Sequence, residues 1–170
     1  MTAFFEVKNV TFSSSKEHKL IDVNFCIKEQ GQIISILGPS GVGKTTILRA
    51  IAGLDPIIKG EIFLNKKIIS STKIFVEPEK RDIALSFQEN SLFPHLNVFE
   101  NLKIGQLKRT KKKIKLSLEE CIEAFFLEPI LKKYPHEISA GEAQRASLIR
   151  SLISKPSLLL LDEPFSNVDI

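Results

Sequence analysis

Alternating apolar and polar residues dominate the first part of the chain and predict β-strands. The segments "FFEVKNVTF" (4–12) and "HKLIDVNFCI" (18–27) combine this alternation with β-branched residues, which is typical of strands in an antiparallel sheet. A third segment, "GEIFLNKKI" (60–68), predicts an edge hairpin that turns at Asn65. We therefore expect an antiparallel sheet near the amino terminus.

Continuous apolar runs and helical spacing predict the other elements. The run "QIISIL" (32–37) is followed by glycine and proline, and "SLLLLDEP" (157–164) ends in acids; both predict buried strands. The apolar spacing of "TTILRAIAGL" (45–54), closed by Gly53, and the composition of "SLEECIEAFFL" (117–127) predict helices. This mixture predicts an α/β fold with a helical subdomain inserted in its middle.

Composition and charge narrow the class of protein. With 170 residues, 43% of them hydrophobic, the chain is large enough for one core, and no apolar run approaches the roughly 20 residues that span a bilayer. The first ten residues show no basic region followed by a long apolar stretch, so we expect no secretory signal. Cys26 and Cys121 are isolated, which argues against a zinc site or a disulfide framework and fits a reducing cytoplasm. The basic run "LKRTKKKIK" (107–115) has no interleaved aromatic residues for base stacking. We therefore interpret it as a solvated connector or helix face rather than a nucleic-acid or lipid patch.

One glycine-rich segment predicts a phosphate site. "GPSGVGKT", from Gly38 to Thr45, matches G-x-x-x-x-G-K-[ST] and lies between a predicted strand and a predicted helix, which disfavours an ordinary glycine-rich turn. The glycines let the backbone wrap around phosphate oxygens, Lys44 reaches the β- and γ-phosphates, and the Thr45 hydroxyl can ligate Mg²⁺. The candidate nucleotide-binding residues here are Gly38, Pro39, Ser40, Gly41, Val42, Gly43, Lys44, Thr45 and Thr46.

Two acids follow the leucine-rich strand. Asp162 stands at its carboxyl end, where a carboxylate can hold the metal, and Glu163 is placed to polarise a water near the γ-phosphate. The alternative is a pair of acids exposed to solvent at the end of a strand. With the phosphate loop upstream, we favour the catalytic interpretation.

The segment "HEISAGEAQR" (136–145) has two interpretations. Ser139 followed three residues later by Glu142 is a capping box that begins an amphipathic helix, which requires no function. A helix start is also suited to bind an anion, since its free N–H groups and its dipole favour negative charge there. The two interpretations are compatible, because a capped helix start still presents N–H groups to a phosphate.

Four motifs, taken together, resemble a known family. The phosphate loop, "SFQENSLFPHLNVFENL" (86–102), "YPHEISAGEAQRASLIRSL" (134–152) and "LLLLDEPFSNVD" (158–169) occur in the order and roughly the spacing of the nucleotide-binding subunit of ATP-binding cassette transporters. The resemblance covers almost the whole chain. It implies a P-loop NTPase core with a mixed or parallel central sheet, an N-terminal antiparallel β-subdomain and an inserted helical subdomain.

The resemblance also implies a division of the chain. We expect a single ATPase domain over residues 1–170, in which residues 1–89 and 155–170 form the catalytic core with its antiparallel part. Residues 90–154 would form the helical subdomain with the signature helix, and the terminal part of the core would be absent.

Site roles follow from the resemblance, residue by residue. Gln88 matches the Q-loop glutamine, which touches Mg²⁺ or the attacking water. Ser139 and Gly141 match signature residues that bind the γ-phosphate of ATP held by the opposite subunit, and Asp169 matches the D-loop aspartate at the dimer interface. The implied catalytic residues are Glu163, Gln88 and Lys44. The implied metal ligands are Thr45, Gln88 and Asp162.

The chain departs from the family's pattern in the signature. Ile138 replaces a leucine and keeps an apolar residue, and Ala140 replaces a glycine. Glu142 replaces a glutamine, and we expect its carboxylate to fold back on its own helix cap. The aromatic residue that stacks on adenine in this family would fall at Ser14, whereas Phe12 lies two residues earlier and is equally suited to the core.

The carboxyl terminus is a further departure. The sequence stops at Ile170, directly after the D-loop, and its three histidines, His18, His95 and His136, all precede Glu163. The family's switch histidine therefore has no counterpart in this sequence. We expect either a fragment of a longer subunit or a truncated form with impaired hydrolysis.

The function implied is ATP-driven transport with Mg²⁺, by a head-to-tail dimer that holds two ATP molecules. Expected partners are transmembrane permease subunits, contacted through "LFPHL" (92–96), a second nucleotide-binding subunit and, indirectly, an extracytoplasmic solute-binding protein, with no nucleic acid. The chain would lie peripherally on the cytoplasmic face of the inner membrane and serve import of ferric iron, polyamine or another small solute. The alternatives are a cassette ATPase acting on nucleic acid or ribosomes, and an ATP-binding fragment that lacks hydrolysis.

Overall fold

The computed structural model describes residues 3–13, 19–87, 92–107 and 116–164, without the side chains of Ser13 and Lys19. The chain forms two compact units, residues 1–83 and 84–170.

The first unit is an antiparallel sheet with one helix. Its elements in chain order are β1 (Phe5–Ser13), β2 (Lys19–Ile27), α1 (Lys44–Ala52), β3 (Lys59–Leu64) and β4 (Lys67–Ser71). The strand order is β2-β1-β3-β4, with antiparallel pairing throughout. Asn65 and Lys66 have φ of 51° and 66°, which is the two-residue turn that matches strand twist in hairpins. The predicted sheet, helix and Asn65 turn are therefore confirmed.

The core of this unit depends on an irregularity in β1. Phe5 and Val7 are buried on one face, and Val10 and Phe12 are buried too, although strict alternation would turn them to the other face. The register shifts between Val7 and Val10, and Asn9 there has a φ of 48°. The extra residue returns the second apolar pair to the core, which gives Phe12 a core position.

The prediction of a buried strand over 32–37 is wrong. These residues form no strand, and Ile33 and Leu37 are 93% and 89% exposed. An apolar run becomes a buried strand only where neighbours supply hydrogen bonds and cover both faces. Within the described residues, the first unit's sheet ends at β2 and β4, and the segment pairs with neither edge.

The second unit combines a short sheet with helices. Its elements are β5 (Ile83–Ser86, beginning at the unit boundary), α2 (Val98–Gln106), α3 (Leu118–Ala124), α4 (Ala140–Ile153) and β6 (Leu158–Leu161). β5 and β6 form a two-stranded sheet, and the amide of Asp162 donates to the Ser86 carbonyl at 3.0 Å. The helices share an apolar core that includes Leu102, Leu127 and Ile149. The helix predicted within 117–127 and the strand of leucines are confirmed.

Helices α2 and α4 approach each other closely at Gly105. A Cβ at Gly105 would overlap the backbone carbonyl of Arg150 in α4. The two backbones can lie this close together only because Gly105 has no side chain.

Candidate functional site

The glycine-rich loop before α1 has the backbone shape that its sequence predicts. Gly41 and Gly43 have φ of 80° and 101°, a region that residues with a Cβ rarely adopt. The Lys44 ammonium donates to the carbonyls of Gly38 and Pro39, each at 3.0 Å, so the loop curves around it. Residues 38–42 are exposed, as is Thr45. A nucleotide can therefore reach the loop from solvent.

The start of α1 is suited to an anion. Gly43 occupies the N-cap position, no side chain caps the helix, and its first turn holds no acid. The three other α-helices in the described residues each begin with a capping box, formed by Asn97 with Glu100, Ser117 with Glu120, and Ser139 with Glu142. A helix start without a side-chain cap, together with the helix dipole, favours phosphate at α1.

Arg81 holds the other end of α1. Its guanidinium donates five hydrogen bonds, as many as it has N–H groups, and the side chain is 2% exposed. The acceptors are the carbonyls of Ala50, Ile51, Ile69 and Val76 and the hydroxyl of Ser70, at 2.7–3.0 Å. Burial lowers the pKa of Arg81 to about 10, so it stays charged at neutral pH.

Gly53 makes room for this guanidinium. It ends α1 with a φ of 87°, and a Cβ there would lie 2.5 Å from Nε of Arg81. The sequence analysis missed Arg81, because an arginine inside "EPEKRDIAL" has no local feature that predicts burial. Its position ties the helix that carries Lys44 and Thr45 to β4.

The start of α4 is capped as its sequence predicts. The Ser139 hydroxyl accepts from the Glu142 amide at 3.2 Å, and the Glu142 carboxylate accepts from the Ser139 amide at 2.8 Å. The hydrogen bond from the Ser139 amide to the carboxylate, with a further contribution from the Ser139 side chain, lowers the pKa of Glu142. The expectation that this carboxylate folds back on its own cap is confirmed. Ser139 is exposed, and within the described part of the chain the amides of Ala140 and Gly141 donate to no protein group.

The two acids after β6 differ in their surroundings. Asp162 is 6% exposed, whereas Glu163 is exposed and has a φ of 47°, in the left-handed region. The Gln144 side-chain amide donates to the carbonyl of Pro164 at 2.7 Å and to that of Glu163 at 3.4 Å. Gln144 was missed by the sequence analysis, although its place in the helix that follows Ser139 was a usable signal.

The residues proposed for Mg²⁺ supply the appropriate atoms. The Thr45 hydroxyl and the Asp162 carboxylate are oxygen donors, which this hard cation prefers, and Mg²⁺ is commonly bound by one or two carboxylates together with phosphate and water. In the ranges that the structure describes, no group of three or more histidine, cysteine or acidic side chains could hold a metal by itself. Thr45 and Asp162 therefore each supply an oxygen atom of the kind that an Mg²⁺ ion bound to phosphate requires.

Several predicted site residues cannot be compared with the structure. Gln88, Asp169 and Ser14 lie outside the described residues. The phosphate loop belongs to the first unit, and Ser139, Gly141 and the acids belong to the second.

The segment after Gln88 is held by Asn101 of α2. This fully buried side chain accepts from the Phe93 amide at 2.7 Å and donates to the carbonyls of Phe93, Leu96 and Asn97 at 3.0–3.1 Å. Arg150 of α4 donates to the same Asn101 oxygen at 3.3 Å and lies over the ring of Phe93. Phe93 is 42% exposed. The segment thus presents an aromatic surface on a fixed backbone.

The fold and the glycine-rich loop define a P-loop nucleotide-binding protein. The sequence profile described as "ABC transporter" matches residues 20–166, which is most of the chain. The chain belongs to the ABC transporter family.

Individual relatives agree with this assignment. The glucose import ATP-binding protein GlcV of Saccharolobus solfataricus is 44% identical over 168 residues, which cover 96% of this chain and 47% of that protein. The Fe(3+) ions import ATP-binding protein FbpC 1 of Pectobacterium atrosepticum is 40% identical over 169 residues, 98% of this chain and 47% of that protein. The chain thus spans about half the length of these curated relatives.

A solved structure agrees with the fold. The post-hydrolysis dimer of the ATP-binding cassette MJ0796, bound to ADP and Pi, matches with a TM-score of 0.79 and 29% identity, covering 97% of this chain and 76% of that one. This similarity confirms the α/β P-loop fold that the sequence predicts.

Proposed function

We propose that this chain binds and hydrolyses ATP and powers import of a solute across a membrane. The observation that carries the proposal is the start of α1, where a glycine cap, an acid-free first turn and Lys44 together present a phosphate site. Relatives named as import ATP-binding proteins support the transport role. The domain limits given above, with a helical subdomain over residues 90–154, are part of this proposal.

Each residue of the site has a separate role in ATP hydrolysis. Lys44 and the loop amides bind the β- and γ-phosphates, and Glu163, with Gln88, orients the water that attacks the γ-phosphate in line. Mg²⁺ supplies charge neutralisation when bound, held by Thr45, Asp162 and Gln88. Ser139 and Gly141 complete the site of a second copy, so the working form is a head-to-tail dimer.

The further partners follow from the transport role. Permease subunits receive the surface that Phe93 presents, and a solute-binding protein acts outside the membrane. Because the chain's relatives are named import ATP-binding proteins, we place the chain peripherally on the cytoplasmic face of the membrane. No helix within the described ranges has the length and apolar content needed to cross a bilayer. GlcV and FbpC 1 are named for glucose and Fe(3+), respectively. Among the solutes expected from the sequence, ferric iron is therefore retained as a candidate.

Phosphate release by the purified chain with Mg²⁺ and ATP tests the hydrolytic role. Loss of a positioned general base costs about 10²–10⁴-fold in rate, so Glu163→Gln should lower turnover by at least about 100-fold and leave ATP affinity within about twofold. Glu137→Gln, another exposed acid of the second unit, is the matched control. A wild-type rate equal to that of Glu163→Gln would instead support the ATP-binding fragment that lacks hydrolysis.

A second experiment separates transport from action on nucleic acid. Cysteine placed at position 93 and treated with a short bifunctional cross-linker should capture a multispanning membrane protein in native membranes. Capture of ribosomal components at the same position would contradict the transport role.

A further inference from the structure

Gln144 joins the signature helix to the turn that carries the catalytic acid. It lies five residues after Ser139 in α4 and is 8% exposed. Its amide nitrogen donates to the carbonyls of Pro164 and Glu163, the first bond being short at 2.7 Å. One buried side chain therefore connects two segments whose site residues have different tasks.

The backbone at Glu163 requires such support. A φ of 47° is unfavourable for a residue with a Cβ, and a conformation of this kind persists only where the surrounding structure holds it. The donor bonds from Gln144 reach the carbonyl of Glu163 itself and that of the next residue. Because φ and ψ at Glu163 set the direction of its side chain, Gln144 helps to fix where the carboxylate stands.

The cost of keeping an amide at position 144 argues that it has a purpose. Its oxygen Oε1 is buried and has no hydrogen-bond partner within the described residues. An unsatisfied buried polar atom is destabilising, and an apolar side chain of similar length would avoid this cost. The glutamine thus keeps the hydrogen bonds that its Nε2 donates, although its buried Oε1 has an unfavourable environment.

We propose that Gln144 couples the two nucleotide sites of the dimer, as a positioning residue for Glu163. This inference rests on the proposed function, in which Ser139 of one copy contacts the ATP bound by its partner while Glu163 acts on the ATP bound by its own copy. ATP that binds at the amino end of α4 shifts or fixes this helix. Gln144 transmits that change to the turn at Glu163, so occupancy of one site sets the geometry of hydrolysis at the other.

The test is Gln144→Met, which keeps an unbranched side chain of similar length and removes both donors. Gln144→Glu is the second variant, since it keeps the shape and replaces the donating nitrogen with an oxygen. Arg145→Gln is the matched control, an exposed neighbour on the same helix. ATP turnover is measured against ATP concentration, and affinity for a fluorescent ADP analogue is measured separately on each folded variant.

The wild-type chain should hydrolyse ATP with a Hill coefficient approaching about 2, the number of sites. In both Gln144 variants the coefficient should fall towards about 1 and kcat should fall about tenfold, with ADP-analogue affinity unchanged within about twofold, because that ligand binds through the phosphate loop. Arg145→Gln should match the wild type in all three quantities.

Two results would overturn the coupling. One is a Gln144 variant that loses turnover only in proportion to its unfolded fraction, measured by circular dichroism, and keeps the wild-type Hill coefficient. The other is a wild-type chain that hydrolyses ATP with a coefficient of about 1, which refutes the coupling and leaves the proposed function standing. A wild-type chain that releases no phosphate refutes the hydrolytic function itself and the coupling with it.

Discussion

Replacing Arg81 with methionine should loosen α1, the helix that begins at the phosphate loop. The substitution keeps much of the side-chain length and removes all five hydrogen bonds of the guanidinium. The helix-end carbonyls of Ala50 and Ile51 would then be left in a buried environment without these donors. Arg81→Met is therefore a test of how firmly the end of α1 is held.

The magnitude follows from two opposing effects. Burial lowers the pKa of Arg81 to about 10, which corresponds to about 3 kcal/mol of desolvation cost. Five charge-assisted hydrogen bonds, each worth about 1.5–3 kcal/mol, exceed that cost. The difference between these two effects is at least about 4 kcal/mol, so we expect Arg81→Met to lower the free energy of unfolding by about 4 kcal/mol or more. Arg81→Lys keeps the charge with three donors and should lose about half as much.

The expected pH dependence of this effect is flat near neutrality. Because burial lowers the pKa of Arg81 to about 10 in the folded state, the unfolded chain binds the proton more tightly, and stability rises with pH only between about pH 10 and the ordinary pKa of arginine. The decrease in the free energy of unfolding that Arg81→Met causes should therefore be the same at pH 6 and pH 9.

Hydrogen exchange of the α1 amides is the appropriate assay. The chain contains no tryptophan and one tyrosine, so intrinsic fluorescence reports poorly on this helix. Arg49→Met is the control: Arg49 is on the same helix and pairs with Asp55 at 2.7 Å near the surface, where such pairs contribute about 1 kcal/mol or less. Protection of α1 in Arg81→Met within about 1 kcal/mol of the wild type would refute the reasoning. A confirmed loss should also weaken binding of a fluorescent ADP analogue.

The remaining predictions concern the second unit. Gly105→Ala should destabilise this unit by about 1–3 kcal/mol, as measured by urea unfolding followed by circular dichroism. The cost of overlap with a backbone carbonyl of α4 is larger than the roughly 1 kcal/mol that alanine gains in helix propensity. A more stable variant would contradict the close approach of the two helices. Glu142→Gln should weaken the α4 cap at pH 7 and change it little at low pH. Because the pKa of Glu142 is lowered in the folded state, its carboxylate stabilises the fold above the ordinary pKa of 4.5, and this stability is lost as the pH falls through the pKa of the folded state. Equal losses in urea unfolding at both pH values would disprove this dependence on charge.

Structural features that are determined by residues close together in the sequence could be predicted. The turn at Asn65, the cap of Ser139 with Glu142, and the glycines of the phosphate loop are each determined by residues within a few positions of one another. Local backbone preference decides such features, whatever lies on the other side of the molecule.

Features that depend on distant neighbours could not be predicted. The run over 32–37 has the composition of a buried strand, yet its exposure depends on whether other strands lie beside it. Arg81 bonds to groups up to 31 residues away, and Gln144 to groups 19 and 20 residues away. Nothing in the sequence around Arg81 indicates its acceptors, and the only signal for Gln144 was its place in the helix that follows Ser139.

The contacts of Asn101 have a mechanical consequence. Four of its hydrogen bonds go to the backbone between Phe93 and Asn97, and one turn later α2 touches α4 at Gly105 with no side chain between them. Little flexible structure lies between the exposed ring of Phe93 and α4. A force applied to this ring would therefore displace the loop and the carboxyl half of α4 together.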